Sequence, residues 1–417
     1  MPQLKDRIAS GTGSILEWYD FSLYGFFAPL LAQIYFPTEN PMVGMLATFS
    51  AFAIGFIARP IGALLFGYIS DRYGRAFSLK LTPMLITIPT LLMAFLPSYQ
   101  AIGIFAPIIL ILLRIIQGIC IGGEYANNLI YLCESARPKC LYFLGSLGSC
   151  TGSIGILLAS SIASLCYFFF SADVLLQWGW RLAFGISLII GVIAFWMRKT
   201  IAESPRFDKI LKEKRIVDNP VWISYKTQFN DYVLALGLIF LPATSFYFIF
   251  MFLPNYMSSY LAIDPAKATG ENSLTLASRL LIIPIIGLLA DKIGGIKIAR
   301  LAAILLMVVP IPLFYVMIHY KDFAFYALYA LGIITTLNAA TTPGLLVELL
   351  KPETRCTIFS FTFNVGFGVF GGIVPLVSFW IADVVADPIV PVYYLVGAAV
   401  ITFVASFYFD KRTVRYV

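Results

Sequence analysis

Apolar runs of about twenty residues recur along the whole chain, and a run of that length is what a helix needs to cross a bilayer. Strands of a membrane barrel would show about ten residues of alternating polarity instead. Twelve runs are read, near 11–36, 42–69, 76–96, 101–132, 140–168, 181–198, 231–259, 270–290, 297–318, 323–350, 356–383 and 391–410. Only helices and closed barrels satisfy their backbone polar groups in hydrocarbon. The predicted fold class is therefore an all-α polytopic membrane protein with twelve transmembrane helices. Composition agrees: of 417 residues, 60% are hydrophobic and 12% charged, about half the charge of a soluble domain.

The net charge is +7, and its placement points to orientation rather than to nucleic acid. Of 29 Lys and Arg, 23 fall in alternate loops on the side of the N-terminus, from Lys5 and Arg7 to Lys411, Arg412 and Arg415. The opposite side carries Lys267 and Lys321. The positive-inside rule then predicts that both termini are cytoplasmic. The stretch 199–230 is the one substantial hydrophilic segment. It divides the chain into an expected six-helix bundle over 1–198, a cytoplasmic linker over 199–230 and a second bundle over 231–417. A repeat supports two halves: GYISDRYGR at 67–75 returns 220 residues later as GLLADKIGG at 287–295, each time after an apolar run. Met1 to Arg7 has no signal-peptide layout. The six cysteines have no metal or disulfide spacing and read as packing residues. No HExxH, Ser-His-Asp set, metal cluster or phosphate loop is present, so an enzyme, a cofactor and a metal are not expected.

Charged residues inside the runs are the candidates for function. Each costs about 3 kcal/mol or more at membrane depth, so it faces protein or a watery cavity. Arg114, Gln117, Ile121, Glu124 and Asn128 fall on one arc of a helix, bordered by Gly118 and Gly122, where another helix can pack closely. Arg59 shares a face with Gly55 and Gly62. Glu17 and Asp20 lie one turn apart, with Tyr24 on the same face. Either one of these two carboxylates keeps a proton, as a proton carrier needs, or each pairs with an Arg and stays ionised. Phe246, Tyr247, Phe250 and Tyr256 are an aromatic stripe, for packing or for a cationic solute. Asn272, Thr275 and Arg279 share a face, as do Thr335, Asn338 and Thr342; these stripes serve a solute or interhelical hydrogen bonds. Trp178 and Trp180 read as interfacial anchors.

The residues quoted resemble the major facilitator superfamily, and within it the metabolite:proton symporters, a group that includes proline/betaine, 2-oxoglutarate, citrate and shikimate permeases. GSILEWYDFSLYGFFAP (13–29), FAIGFIARPIGALLFGYISDRYGR (52–75), LLRIIQGICIGGEY (112–125), WGWR (178–181), ESPRF (203–207) and KPETR (351–355) carry the likeness. It implies two six-helix bundles, alternating access and uptake of a small polar organic solute together with protons, in the bacterial inner membrane. An amino acid or betaine and an organic carboxylate both remain open as the solute. From their position at membrane depth, Glu17, Asp20 and Glu124 are expected to include the proton carrier, and solute contacts are expected from Tyr24, Arg59, Arg114, Gln117, Tyr247, Arg279 and Asn338. Gating falls to Asp71, Arg72, Arg75, Asp291 and Arg355, with Asp71 expected at the start of the helix near Cys356. Partners are the solute, protons and the lipid bilayer, and a monomer is expected. Gly295 stands where the family usually keeps an Arg, and Arg279 where an uncharged residue is expected. With the chain ending at Val417, tail-dependent osmosensing is not expected. An uncoupled facilitator or a transporter-like sensor is the alternative reading.

Overall fold

The computed structural model describes residues 3–137, 139–385 and 387–411, so Arg412 and Arg415 lie outside the described residues. Among these residues all regular structure is helical, with no strand. Helix α1 spans Leu4–Phe26, α2 Pro41–Tyr73 and α3 Arg75–Phe95. The first half continues with α4 Phe105–Glu134, α5 Leu141–Phe169 and α6 Ala172–Arg198. The second half comprises α7 Phe229–Leu261, α8 Pro265–Ile293, α9 Gly295–His319, α10 Lys321–Leu349, α11 Arg355–Val385 and α12 Pro391–Asp410. Eleven of these are long and apolar enough to cross a membrane. The twelfth is α1, whose hydropathy is lowered by the buried carboxylates Glu17 and Asp20. Apolar side chains such as Ile57, Leu281 and Leu376 point outward, 69%, 75% and 72% exposed, while Glu17, Asp20, Arg59, Arg114 and Glu124 are buried. That inversion suits a hydrocarbon surround.

Two compact units form: Met1–Tyr131 with Thr151–Val221, and Leu132–Cys150 with Trp222–Val417. In the first unit α2 and α4 touch backbone to backbone. A Cβ on Gly118 would lie 2.1 Å from the Gly55 carbonyl oxygen, and one on Gly62 would lie 1.9 Å from that of Ile119. The expected arc on α4 is buried throughout, although the helix is interrupted at Gly122–Gly123. There a Cβ on Gly123 would meet Phe66 at 2.1 Å. Gly152 and Gly155 of α5 bring that helix onto Trp18 and Ile15 of α1.

Trp180 is not an interfacial anchor. A π-helical turn at Leu175–Gly179 precedes it, and the ring packs in the core against Tyr35 and Phe184 at 1% exposure. Trp178 is 46% exposed. In the second unit, Tyr256 of the aromatic stripe is a packing residue: its hydroxyl donates to the Pro388 carbonyl and its ring meets Phe252 and Phe314. The repeated turns match in backbone. Gly74 and Gly294 both adopt positive φ, 111° and 99°, which glycine reaches without the Cβ penalty.

Candidate functional site

Helix α1 supplies two carboxylates one turn apart, and they go to different neighbours. Glu17 meets α2: Arg59 Nη2 donates to its Oε1 at 3.0 Å, and the Tyr125 N–H donates to its Oε2 at 3.0 Å. The Arg59 guanidinium also lies 5.3 Å from the Phe21 ring and 5.0 Å from Phe56. Glu124 accepts a forked contact from Arg198, Nη2 to Oε1 at 2.6 Å and Nη1 to Oε2 at 2.8 Å, with both side chains fully buried. Such bidentate pairing is among the strongest a guanidinium makes. The hydroxyls of Thr82 and Ser14 donate to the same carboxylate. Arg198 further donates to the carbonyls of Ala9, Ser10 and Leu79. Arg198, the last residue of α6, is thus a buried ion-pair partner.

Asp20 has a different setting. Thr90 of α3 donates to its Oδ2 at 2.7 Å and Ser187 of α6 donates to its Oδ1. No cation among the described residues lies within ion-pair reach of it. Thr90 Oγ1 also accepts from Gln117 Nε2 at 2.8 Å, and Gln117 Oε1 accepts from Arg114 Nη1. One hydrogen-bonded chain thus runs Arg114–Gln117–Thr90–Asp20. The Arg114 guanidinium sits 4.4 Å from the Tyr24 ring and 5.3 Å from Phe52. It is 2% exposed, and its Nε has no partner among the described residues. Tyr24 is held by donation to the Thr48 carbonyl at 3.2 Å. So Arg59 and Arg198 are neutralised by carboxylates, while Arg114 meets aromatic faces and one neutral oxygen.

In the second unit, the Arg279 guanidinium lies 5.5 Å from the Phe246 ring and 5.1 Å from Phe250. Asn272 of the same face donates to the Phe250 carbonyl at 3.1 Å. The Tyr247 ring stands edge-on to Phe246 at 5.4 Å, with Gly371 against it. Asn338 is 1% exposed and its Nδ2 has no partner among the described residues. The hydroxyls of Thr275, Thr335 and Thr342 bond carbonyls of their own helices, so these do not form the interhelical ladders one reading expects.

The turn residues make local contacts. In the first unit Asp71 and Arg75 pair at 3.3 Å, both fully buried, and Arg75 lies over Phe207. Glu203 caps the start of α3, accepting from the N–H groups of Arg75 and Ala76 at 3.1 Å. Arg72 donates to the exposed Asp218 at 3.1 Å. In the second unit Asp291 accepts from the N–H groups of Tyr142 and Phe143, each at 2.9 Å, at the start of α5. Helix N-termini favour anions at such positions. Arg355 pairs with Glu134 at 2.8 Å and donates to the Val347 and Leu350 carbonyls.

A family profile described as "Sugar (and other) transporter" matches residues 7–219. A protein of Staphylococcus aureus (strain COL) that carries a provisional proline/betaine transporter name is 33% identical over 98% of this chain and 88% of its own. The proline/betaine transporter of Salmonella typhimurium is 29% identical over 94% of this chain and 80% of its own. The solved structure of the proton:xylose symporter XylE of the major facilitator superfamily, bound to 6-bromo-6-deoxy-D-glucose, superposes with a TM-score of 0.80. It is 16% identical, over 99% of this chain and 96% of that one. The chain belongs to the major facilitator superfamily. It is a multi-pass membrane transporter of a small-molecule solute, and not an enzyme. Several residues of this transporter's polar interior escape sequence reasoning: Arg198, Thr90, Ser187, Glu134 and, in its capping role, Glu203. Thr82 and Thr90, eight residues apart in α3, share a helix face. That spacing is the signal that could have placed α3 against Glu124 and Asp20.

Proposed function

We propose that this transporter is a proton-coupled symporter that takes up a small zwitterion of the amino-acid or betaine type, by alternating access. The observation that carries the reading is the setting of Arg114. A buried guanidinium without a carboxylate partner calls for an anion, and the Tyr24 and Phe52 rings beside it offer faces that attract a quaternary or secondary ammonium group. One solute with both charges close together uses both features. Gln117 positions the guanidinium, and Tyr24 lines the cationic end. In the second unit Arg279 likewise lies against aromatic rings, those of Phe246 and Phe250, with Tyr247 and Asn338 as further contacts. The proline/betaine names of the relatives point to the same class of solute.

Asp20 is the proton carrier in this reading. A hydroxyl donates to a carboxylate and accepts from a carboxylic acid with equal ease, so Thr90 and Ser187 suit Asp20 in both states. Glu17 and Glu124, each paired with an Arg, serve as struts. Asp71, Arg72, Arg75, Asp291 and Arg355 gate the cytoplasmic side. The transporter acts as a monomer in the bacterial inner membrane with both termini inside. The test is uptake of radiolabelled proline and glycine betaine into proteoliposomes under an imposed proton gradient. Accumulation that collapses with the gradient, and that Asp20→Asn abolishes while exchange persists, is the expected result. Equilibration indifferent to the gradient would make the protein an uncoupled facilitator.

A further inference from the structure

We infer that Thr90 is the positioning residue through which a proton on Asp20 raises the affinity of Arg114 for a solute carboxylate. The inference rests on the proposed roles of Asp20 and Arg114 and adds the wire between them. The four groups hydrogen-bond head to tail. Arg114 donates to Gln117, Gln117 donates to Thr90 at 2.8 Å, and Thr90 donates to Asp20 at 2.7 Å. Every bond in this chain points from the cation toward the anion, and such aligned bonds strengthen one another. An ionised Asp20 therefore competes, through two neutral groups, with any other anion for Arg114.

Thr90 has one hydroxyl proton and two acceptors for it. Besides Asp20, the Ile86 carbonyl lies 3.1 Å away. When Asp20 takes up a proton, its own O–H donates to the Thr90 oxygen, and the Thr90 proton turns to Ile86. The chain then ends on a neutral acid, and its pull on Arg114 is lost. A guanidinium at 2% exposure without that pull binds an incoming carboxylate more tightly. Linkage makes the effect reciprocal: bound solute raises the affinity of Asp20 for its proton. That sign favours carrying both together.

The groups facing Asp20 support a single route. Helices α3 and α6 bring the hydroxyls of Thr90 and Ser187, α4 brings Arg114 behind Gln117, and α1 itself contributes Tyr19. The nearby Glu17 is committed to Arg59.

Thr90→Val keeps the shape and removes the hydroxyl. Binding of radiolabelled proline and glycine betaine to purified protein is measured from acid to neutral pH, beside gradient-driven accumulation. The wild type is expected to bind more tightly at acid pH. Thr90→Val loses that pH dependence and accumulates nothing beyond equilibration. Thr90→Ser, which restores the hydroxyl, recovers both, and Gln117→Met cuts the same chain on its other side with the same loss. Wild-type pH dependence in Thr90→Val, with Asp20→Asn pH-independent, overturns the role of Thr90 and leaves that of Asp20 standing. Wild-type pH dependence in Asp20→Asn overturns the proton site itself.

Discussion

Arg198 and Arg114 of the first unit and Arg279 of the second are all buried, but their surroundings differ, and their substitutions should separate accordingly. Arg198 holds Glu124 in a fork and three backbone carbonyls besides, all fully buried. Arg198→Met strands that carboxylate, and removing one partner of a buried pair costs about 3–5 kcal/mol. A large fall in thermal stability is expected, partly recovered in the Glu124→Gln/Arg198→Met double variant; equal stability of single and wild type would show that the pair holds nothing together. Arg114 has no such structural debt. Arg114→Lys keeps the charge and loses the planar fork, so the apparent KM for solute should rise steeply while stability changes little. Arg279→Lys should raise KM in the same way, and unchanged affinity there would make Arg279 a packing partner of Phe246 and Phe250. The sequence revealed Arg114 because a charge in the middle of an apolar run is conspicuous. It concealed Arg198, because an Arg at the end of a run looks like an ordinary cytoplasmic flank. Thr90 and Ser187 were hidden for another reason: hydroxyls are common in membrane helices, and beyond the Thr82–Thr90 spacing it is distance to Asp20 that marks these two.

At the scale of the helix, periodicity was a sound guide to faces and a poor one to local winding. The arc Arg114, Gln117, Ile121, Glu124 and Asn128 is buried along its whole length, and Gly118 and Gly122 seat it against α2 as the small-residue pattern requires. The pattern says nothing about π turns. Those at Leu175–Gly179, Phe248–Phe252 and Val365–Gly371 rotate the side chains of the next helical turn, which is why Trp180 turns inward. The α2–α4 contact yields a direct test. A Cβ at Gly118 would sit 2.1 Å from the Gly55 carbonyl oxygen, and neither backbone can swing away as a side chain could. Gly118→Ala must push the two helices apart, and overpacking of this kind costs about 1–3 kcal/mol. The displacement also moves Arg114 and Gln117, one turn and one residue before it. Lower thermal stability together with weaker solute binding is expected in purified protein. A variant as stable and as tight-binding as wild type would mean that the helices have slack at this crossing.

At the scale of the molecule, the duplicated turn shows how one motif is fitted to two settings. Both copies keep the Asp and the positive-φ glycine, Asp71 with Gly74 and Asp291 with Gly294. They differ in the next residue. Arg75 in the first copy fills its place with a buried ion pair to Asp71 and a stacked Phe207 ring. Gly295 in the second leaves its place empty of side chain, and the Tyr142 ring takes it: a Cβ on Gly295 would lie 2.1 Å from that ring. The sequence showed the missing Arg, but not its replacement, which comes from a residue more than a hundred positions earlier and not from the motif. The same ring is confined on another side, since a Cβ on Gly344 would lie 2.5 Å from it. The backbone of Tyr142 is fixed as well, through its N–H on Asp291. Gly295→Ala therefore cannot be relieved by a small rotation of the ring, and it should lower thermal stability and slow transport. Tyr142→Ala makes room but abandons the ring's contacts, and should lower stability on its own. The double variant Gly295→Ala/Tyr142→Ala should lose less than the sum of the two, because the clash is counted only once. Groups in contact typically couple by about 0.5–3 kcal/mol in such a cycle. Strict additivity of the two losses would show that Tyr142 does not occupy the place the missing Arg left.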